Sequence, residues 1–357
     1  VKTTGYGIYF PAKAKCNSNR EIGENIGRPS LNGLVAQQRH ATVPCDDPSL
    51  NGIIGNMKPT IGFIGLGQMG SAMVEHLQAN GYQLVLLGHR SRTAIEAALS
   101  RGAVESLTAK ELARSSDVIM LCMDTSASVE SRMLGDDGVI AGLDSGKIVI
   151  DFGTSLPRST LFLGDRVAEM DAHFLDAPLG RTPAHAREGK LNIMASGDSG
   201  AFNRVKDLLE VLGENVFYLG KLGTGHTIKL INNFFGMTCA SAMAEAFAIA
   251  EVAGIDGQQL YDVVSSGPLH SEVMDFVAAY ALSNDPNKLE FSIRNARKDL
   301  TYYSSMADGL GIPSLISPGT KQALGIATVT GLADSNVSEM VRFFRQLFSE
   351  AQNLSRS

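Results

Sequence analysis

A short apolar run, Ile61-Gly-Phe-Ile64, passes without interruption into Gly65-Leu-Gly67-Gln-Met-Gly70 and then into a helical pattern that ends at Asn80-Gly81. Few local sequences restrict a fold so tightly. Glycines at these spacings between strand and helix permit a tight turn at Gly65, close approach of an anionic group at Gly67, and packing of helix on strand at Gly70. The helix that opens there presents free backbone N–H groups and the positive end of its dipole, which suits a dinucleotide pyrophosphate. An ordinary glycine-rich turn accounts for one glycine but not for all three. Gly65, Leu66, Gly67, Gln68, Met69 and Gly70 are therefore candidate cofactor-binding residues.

The same alternation continues. Residues 61–64, 83–87, 117–123, 147–151, 173–175 and 191–195 read as strands, with amphipathic helical patterns between most of them, and Thr108-Ala-Lys-Glu111 has the form of a capping box. Strand and helix in turn imply an α/β Rossmann domain, a doubly wound parallel sheet over residues 58–223. The unbroken apolar run Val118 to Met123 fits a strand buried on both faces. After about Gly223 only helical patterns remain. The proline-free stretch from Thr224 to Ala253 is expected to be a long interdomain helix leading into an all-α C-terminal domain over 224–357. Shorter helices are expected near 257–266, 270–282, 293–309, 317–330 and 337–351. Residues 1–57 are rich in Gly, Asn, Pro and Ser, lack any sustained period, and are expected to be a leader that is disordered or non-native.

Composition narrows the function classes. A chain of 357 residues with a formal net charge of −6 lacks the basic balance that a nucleic-acid partner requires. No uninterrupted apolar stretch reaches the roughly 18 to 20 residues of a membrane span. Even the segment from Gly236 to Ala253 carries Glu245 and Glu251, so no membrane role is expected. Cys16, Cys45, Cys122 and Cys239 form no Cys-x-x-Cys pair, which suggests neither a disulfide framework nor a metal site. A reducing, cytoplasmic setting is the expectation.

Two further segments carry chemistry. The second strand ends Leu87-Gly88-His89-Arg90-Ser91-Arg92, about where an NAD site places an acidic residue on the ribose. Gly88 supplies no carboxylate to repel a 2′-phosphate, and Arg90, Ser91 and Arg92 supply donors. NADP(H) is thus expected over NAD(H). Farther on, Gly223-Thr-Gly-His-Thr-Ile-Lys229-Leu-Ile-Asn232-Asn233 opens the long helix, and Lys229 and Asn233, four apart, share a face. An ammonium and an amide aimed together at a cleft can polarise a carbonyl and protonate the alkoxide that hydride transfer creates.

These residues resemble the β-hydroxyacid dehydrogenase family, whose motifs occur here in the family's order. They are the glycine fingerprint, Asp151-Phe-Gly-Thr154-Ser-Leu-Pro157, Asp176-Ala-Pro178, the Lys229 to Asn233 group and Lys298-Asp299-Leu300. The resemblance implies that Lys229 is the general acid/base and Asn233 its orienting partner, that Thr154 neighbours the nicotinamide, and that Lys298 contacts the cofactor or the closed cleft. Met123 joins the candidate cofactor contacts. Family members are also joined as dimers or tetramers through their helical domains, so a homodimer or homotetramer is expected.

The chain departs from the family most clearly after Asp-Ala-Pro-x. Most members carry Ser-Gly-Gly there, whereas this chain reads Gly180-Arg181-Thr182. That variant looks like the sulfolactaldehyde reductase branch, in which an arginine meets a sulfonate. Arg181, Thr182 and Asn232 become candidate substrate contacts on this resemblance. Gly236 stands where that branch has a serine, and Gly153 where the family has Ser. The expected activity is interconversion of a short aldehyde bearing a sulfonate or carboxylate and its hydroxy acid. 3-Hydroxyisobutyrate, succinic semialdehyde or glyoxylate chemistry is the alternative, and a cofactor-binding scaffold without turnover is the non-enzymatic one. Imine reductases share the architecture but usually replace the lysine that this chain keeps at position 229.

Overall fold

The computed structural model describes residues 58–88 and 92–356. The expected leader over 1–57 lies outside these residues, as do the candidate cofactor residues Arg90 and Ser91.

The chain opens with β1 (Ile61–Ile64), α1 (Gln68–Ala79), β2 (Leu84–Leu87), α2 (Arg92–Ser100), β3 (Val104–Ser106), α3 (Ala109–Arg114), β4 (Val118–Leu121), α4 (Ser126–Met133) and β5 (Ile148–Asp151). It continues with α5 (Pro157–Ala168), β6 (His173–Asp176), β7 (Leu179–Gly180), α6 (Pro183–Arg187), β8 (Leu191–Gly197), α7 (Ser199–Leu212) and β9 (Gly213–Tyr218). The strands β3-β2-β1-β4-β5-β6 lie side by side and pair in parallel. Successive side chains then enter opposite layers: Ile148 and Ile150 join one core while Val149 joins the other. A strand covered on both faces has no polar side to show, which is why these runs are continuously apolar. Thr108 caps α3 as its sequence suggests, its hydroxyl accepting from Glu111 N at 3.1 Å.

The sheet is the parallel one expected, with a single departure at β8 among the described residues. That strand runs antiparallel to β6 and to β7, and β9 then pairs with it in parallel. The link from β6 to β8 holds the two-residue β7 and one helix, the five-residue α6. A helix of that length cannot carry the chain across the face of a sheet, so the chain turns back beside β6 instead.

The second half is helical: α8 (Thr224–Val252), α9 (Gly257–Ser265), α10 (Glu272–Ser283), α11 (Ile293–Gly309), α12 (Ser317–Ala327) and α13 (Met340–Arg356). The helical pattern predicted over 317–330 is present, its last turn widened into a π-helix. The regular α12 ends at Ala327, a π-helical turn continues it through Thr328–Leu332, and the helical path breaks at Gly331, where φ is 98°. By length and composition α8 could cross a membrane. Here α10, α11, α12 and α13 pack on it, with Ala240, Ala244 and Phe247 buried among them, while Ile231, Phe235 and Ile249 of the same helix stay exposed.

The start of α8 is pinned beneath the sheet. Asp176, at the end of β6, accepts from Gly223 N at 2.8 Å and His226 N at 2.7 Å, and Ser196 Oγ accepts from Gly225 N at 2.9 Å. These bonds satisfy N–H groups that a helix start leaves unpaired. They also fix the pitch of the next turn, which carries Lys229.

Candidate active site

The glycine turn has the shape its sequence requires. Gly65 sits at φ 105°, and a Cβ there would strike the carbonyl of Cys122 on the neighbouring chain segment after β4. A Cβ at Gly70 would strike the carbonyl of Gly65. Gly67 differs: it is the N-cap of α1 with no side-chain cap, and a Cβ there would meet nothing within 4 Å. The first N–H groups of α1 therefore open onto free space, which fits an approaching pyrophosphate.

That space belongs to a cavity of about 380 Å³ which brings together Gly67, Gln68, Met69, Gly70, Met123, Thr154, Arg181, Lys229 and Lys298. Thr154 is presented by a rigid loop, because Asp151 accepts from Gly153 N and from Ser155 Oγ, both at 2.8 Å. A side chain at Gly153 would crowd Met123 O at 2.9 Å and Asp151 Oδ1 at 3.0 Å, so the serine usual at this position has no room.

Lys229 reaches the cavity from the second turn of α8. It keeps some surface open to the cleft, yet enclosure of its ammonium holds its pKa below the ordinary lysine value. The buried carboxylate of Asp299 works against that depression, and the neighbouring charge of Lys298 adds to it. Asn233 lies behind the cavity wall and donates to Asp299 Oδ2 at 2.6 Å. Lys298 pairs with Asp299 Oδ1 at 3.1 Å and donates to Asp124 O at 2.5 Å, so it spans from α11 to the loop after β4. Tyr302 Oη accepts from Ser126 N at 3.2 Å across the same cleft. Asp299 is the residue that sequence reasoning misses. It stands inside the Lys298-Asp299-Leu300 motif, but only folding shows that it holds both Lys298 and Asn233. Phe291 and Asn295 also line the cavity, from a segment that carries no motif.

Two sequence expectations need correction. The first concerns the end of β2, where no carboxylate was expected. β3 pairs with β2 and delivers one: Glu105 accepts from Arg92 Nη1 at 2.6 Å and Nη2 at 3.1 Å, beside Gly88. Each partner holds the other in its charged form, the Glu105 carboxyl below and the Arg92 guanidinium above its usual pKa.

The second concerns the substrate loop. Arg181 lines the cavity at φ 76°, a left-handed conformation rarely adopted by a residue with a side chain. Its Nη1 donates both to Glu214 on β9 and to Lys190 O at 2.7 Å, so that nitrogen is already paired. Thr182 lies outside the cavity lining, its hydroxyl 2.8 Å from His185 Nδ1. Asn232 also lies outside the lining and is exposed, because one residue before Asn233 is about 100° around the helix. A Cβ at Gly236 would meet nothing within 4 Å.

Known proteins resemble the chain along nearly all of the described length. Residues 60–220 match a family described as the NAD binding domain of 6-phosphogluconate dehydrogenase. Residues 223–344 match one described as the NAD-binding region of NADP-dependent 3-hydroxyisobutyrate dehydrogenase. The 2-hydroxy-3-oxopropionate reductase of Escherichia coli K12 is 32% identical over 254 residues, covering 71% of this chain and 85% of that protein. The cytokine-like nuclear factor N-PAC of Xenopus tropicalis is 26% identical over 299 residues, covering 84% of this chain, which spans 56% of N-PAC. Among solved structures, 3-hydroxyisobutyrate dehydrogenase of Mycobacterium tuberculosis with L-serine superposes with a TM-score of 0.73 at 23% identity. That match covers 81% of this chain and all of the other.

Proposed function

The chain belongs to the β-hydroxyacid dehydrogenase family, and from that premise we propose that it interconverts a short aldehyde bearing a sulfonate or carboxylate and the corresponding hydroxy acid, with NADP(H) preferred over NAD(H). The observation that carries this reading is the single cavity in which Lys229 faces the open first turn of α1. When bound, the nicotinamide gives or takes the hydride. The protein's own part is proton transfer and orientation. Lys229 Nζ donates a proton to the substrate oxygen as it becomes an alkoxide, and recovers it in the reverse direction. A lysine whose pKa is lowered by enclosure gives up that proton more readily than a solvated one. Asn233, held by Asp299, keeps the wall beside Lys229 in place.

The anionic end of the substrate is assigned to Arg181. For that role its guanidinium must leave Glu214, an exchange of one carboxylate for another anion within reach of the same fork. The similarity of the chain to a 2-hydroxy-3-oxopropionate reductase supports an acidic aldehyde as the substrate class. The test is oxidation of NADPH and NADH followed optically with sulfolactaldehyde, succinic semialdehyde, methylmalonate semialdehyde, glyoxylate and neutral propanal. Turnover of at least one charged aldehyde well above propanal is expected. Equal rates for charged and neutral aldehydes overturn the substrate assignment, and nucleotide binding without any turnover overturns the activity.

A further inference from the structure

We infer that Glu105 is a specificity-determining residue for the cofactor, a carboxylate relocated from the end of β2 to β3 that restrains the preference for NADP(H). The inference rests on reading Gly65 to Gly70 as a dinucleotide site and deepens that reading.

In a dinucleotide fold the acidic group that accepts from the ribose hydroxyls ordinarily ends the second strand. β2 ends at Leu87, and the following residue is Gly88, which has no side chain to offer. Its place is nevertheless filled. A Cβ built on Gly88 would collide with Glu105 Oε1 and would lie 3.1 Å from Arg92 Nη1. The carboxylate of Glu105 therefore stands where the side chain of residue 88 would begin. It arrives there because β3 runs beside β2 with Leu86 opposite Glu105. Arg92, the first residue of α2, holds it with both nitrogens of its fork and lies 3.5 Å from Glu96 as well.

This arrangement treats the two cofactors differently. A ribose 2′-hydroxyl can donate to Glu105 while the Arg92 pair stays intact. A 2′-phosphate needs Arg92 for itself, so it must compete with Glu105 for the guanidinium and then sit beside the released carboxylate. Like charges at that distance cost binding, moderated by solvent because Glu105 remains 29% and Arg92 51% exposed. Arg92 supplies one attraction for the phosphate, and Glu105 sets how much of it is available.

The test is titration of the full chain with NADPH and NADH, followed by nucleotide fluorescence, for wild type, Glu105→Gln, Arg92→Ala and the double variant. Binding measured this way does not depend on the substrate. Glu105→Gln is expected to tighten NADPH by about 10-fold and to weaken NADH, because the amide neither repels phosphate nor accepts from the hydroxyl as strongly. In the Arg92→Ala background the same change should yield less for NADPH, since the guanidinium that Glu105 holds is gone. An unchanged NADPH-to-NADH ratio in Glu105→Gln, or weaker NADPH binding, overturns the inference while the dinucleotide site stands. If wild type binds neither nucleotide, the dinucleotide reading itself falls and takes the inference with it.

Discussion

Lys229, Arg92 and Arg181 are held in two opposite ways. Lys229 is enclosed, with Asp299 buried at 1% exposure behind it and Asn233 locked to that carboxylate. Arg92, at the start of α2 beside Gly88, and Arg181, on the cavity wall, are each partly exposed and each paired with a glutamate from another strand, Glu105 or Glu214. A buried group can be tuned strongly because little solvent screens its neighbours, whereas an exposed pair is screened and exchangeable. The enclosed lysine is thus suited to fixed chemistry, and the exposed arginine pairs to choosing among anions.

The sharpest way to break this contrast is at the lysine. Lys229→Ala should lower kcat by about 10² to 10⁴, the loss expected for a positioned acid, while nucleotide affinity stays near wild type. Steady-state kinetics combined with nucleotide titration measures both. An undiminished kcat would remove Lys229 from the chemistry and leave the cleft with no proposed acid.

Asp299→Asn tests the carboxylate behind the lysine. The carboxylate raises the proton affinity of Lys229 against the lowering effect of enclosure. Without it the lysine loses its proton at lower pH. Reduction needs the ammonium, so the alkaline limb of its pH profile should move to lower pH, with kcat near neutrality reduced by about 10-fold. The asparagine can still meet Asn233, which separates charge from packing. A lowered kcat with an unmoved limb would mean that Asp299 acts only through Asn233.

What the sequence makes legible follows the same division. β1, β4 and β5 announce themselves as apolar runs because both of their faces are covered, and the Lys229 turn is announced by its glycines and paired asparagines. β3 and β9 announce nothing. Val104-Glu-Ser106 is three residues long with Val104 61% exposed, and β9 carries Glu214, Asn215 and an exposed Phe217. Edge strands of this kind are specified by pairing with a formed neighbour, not by local pattern. Yet they deliver the carboxylates that occupy Arg92 and Arg181, from 13 and 33 residues away. Both arginines are visible in the sequence, while their competitors become visible only once the sheet has formed.

At the substrate end, Arg181→Ala should reduce kcat/KM for a charged aldehyde by about 30-fold and leave propanal nearly unchanged, since removing one partner of a closed ion pair costs about 2 kcal/mol or more. Glu214→Gln should act in the opposite direction and more weakly, by freeing the guanidinium. Equal losses for charged and neutral aldehydes in Arg181→Ala would make Arg181 a support of its loop.

The smallest effect separates the backbone demand at this position from the side chain's role. Arg181 holds φ 76°, a conformation that costs a residue with a Cβ about 1 kcal/mol and glycine almost nothing. Alanine removes the pairing with Glu214 and keeps that cost. Glycine removes the pairing and the cost together. The pair itself is exposed by 31% and 51%, so its contribution to stability is about 0 to 1 kcal/mol. Arg181→Gly should therefore be more stable than Arg181→Ala by about 1 kcal/mol and close to wild type, measured by equilibrium denaturation. The two variants should nevertheless lose the same activity toward charged aldehydes. If glycine restored activity as well as stability, the loop conformation would be the functional element, and the guanidinium would serve only to tie it to β9.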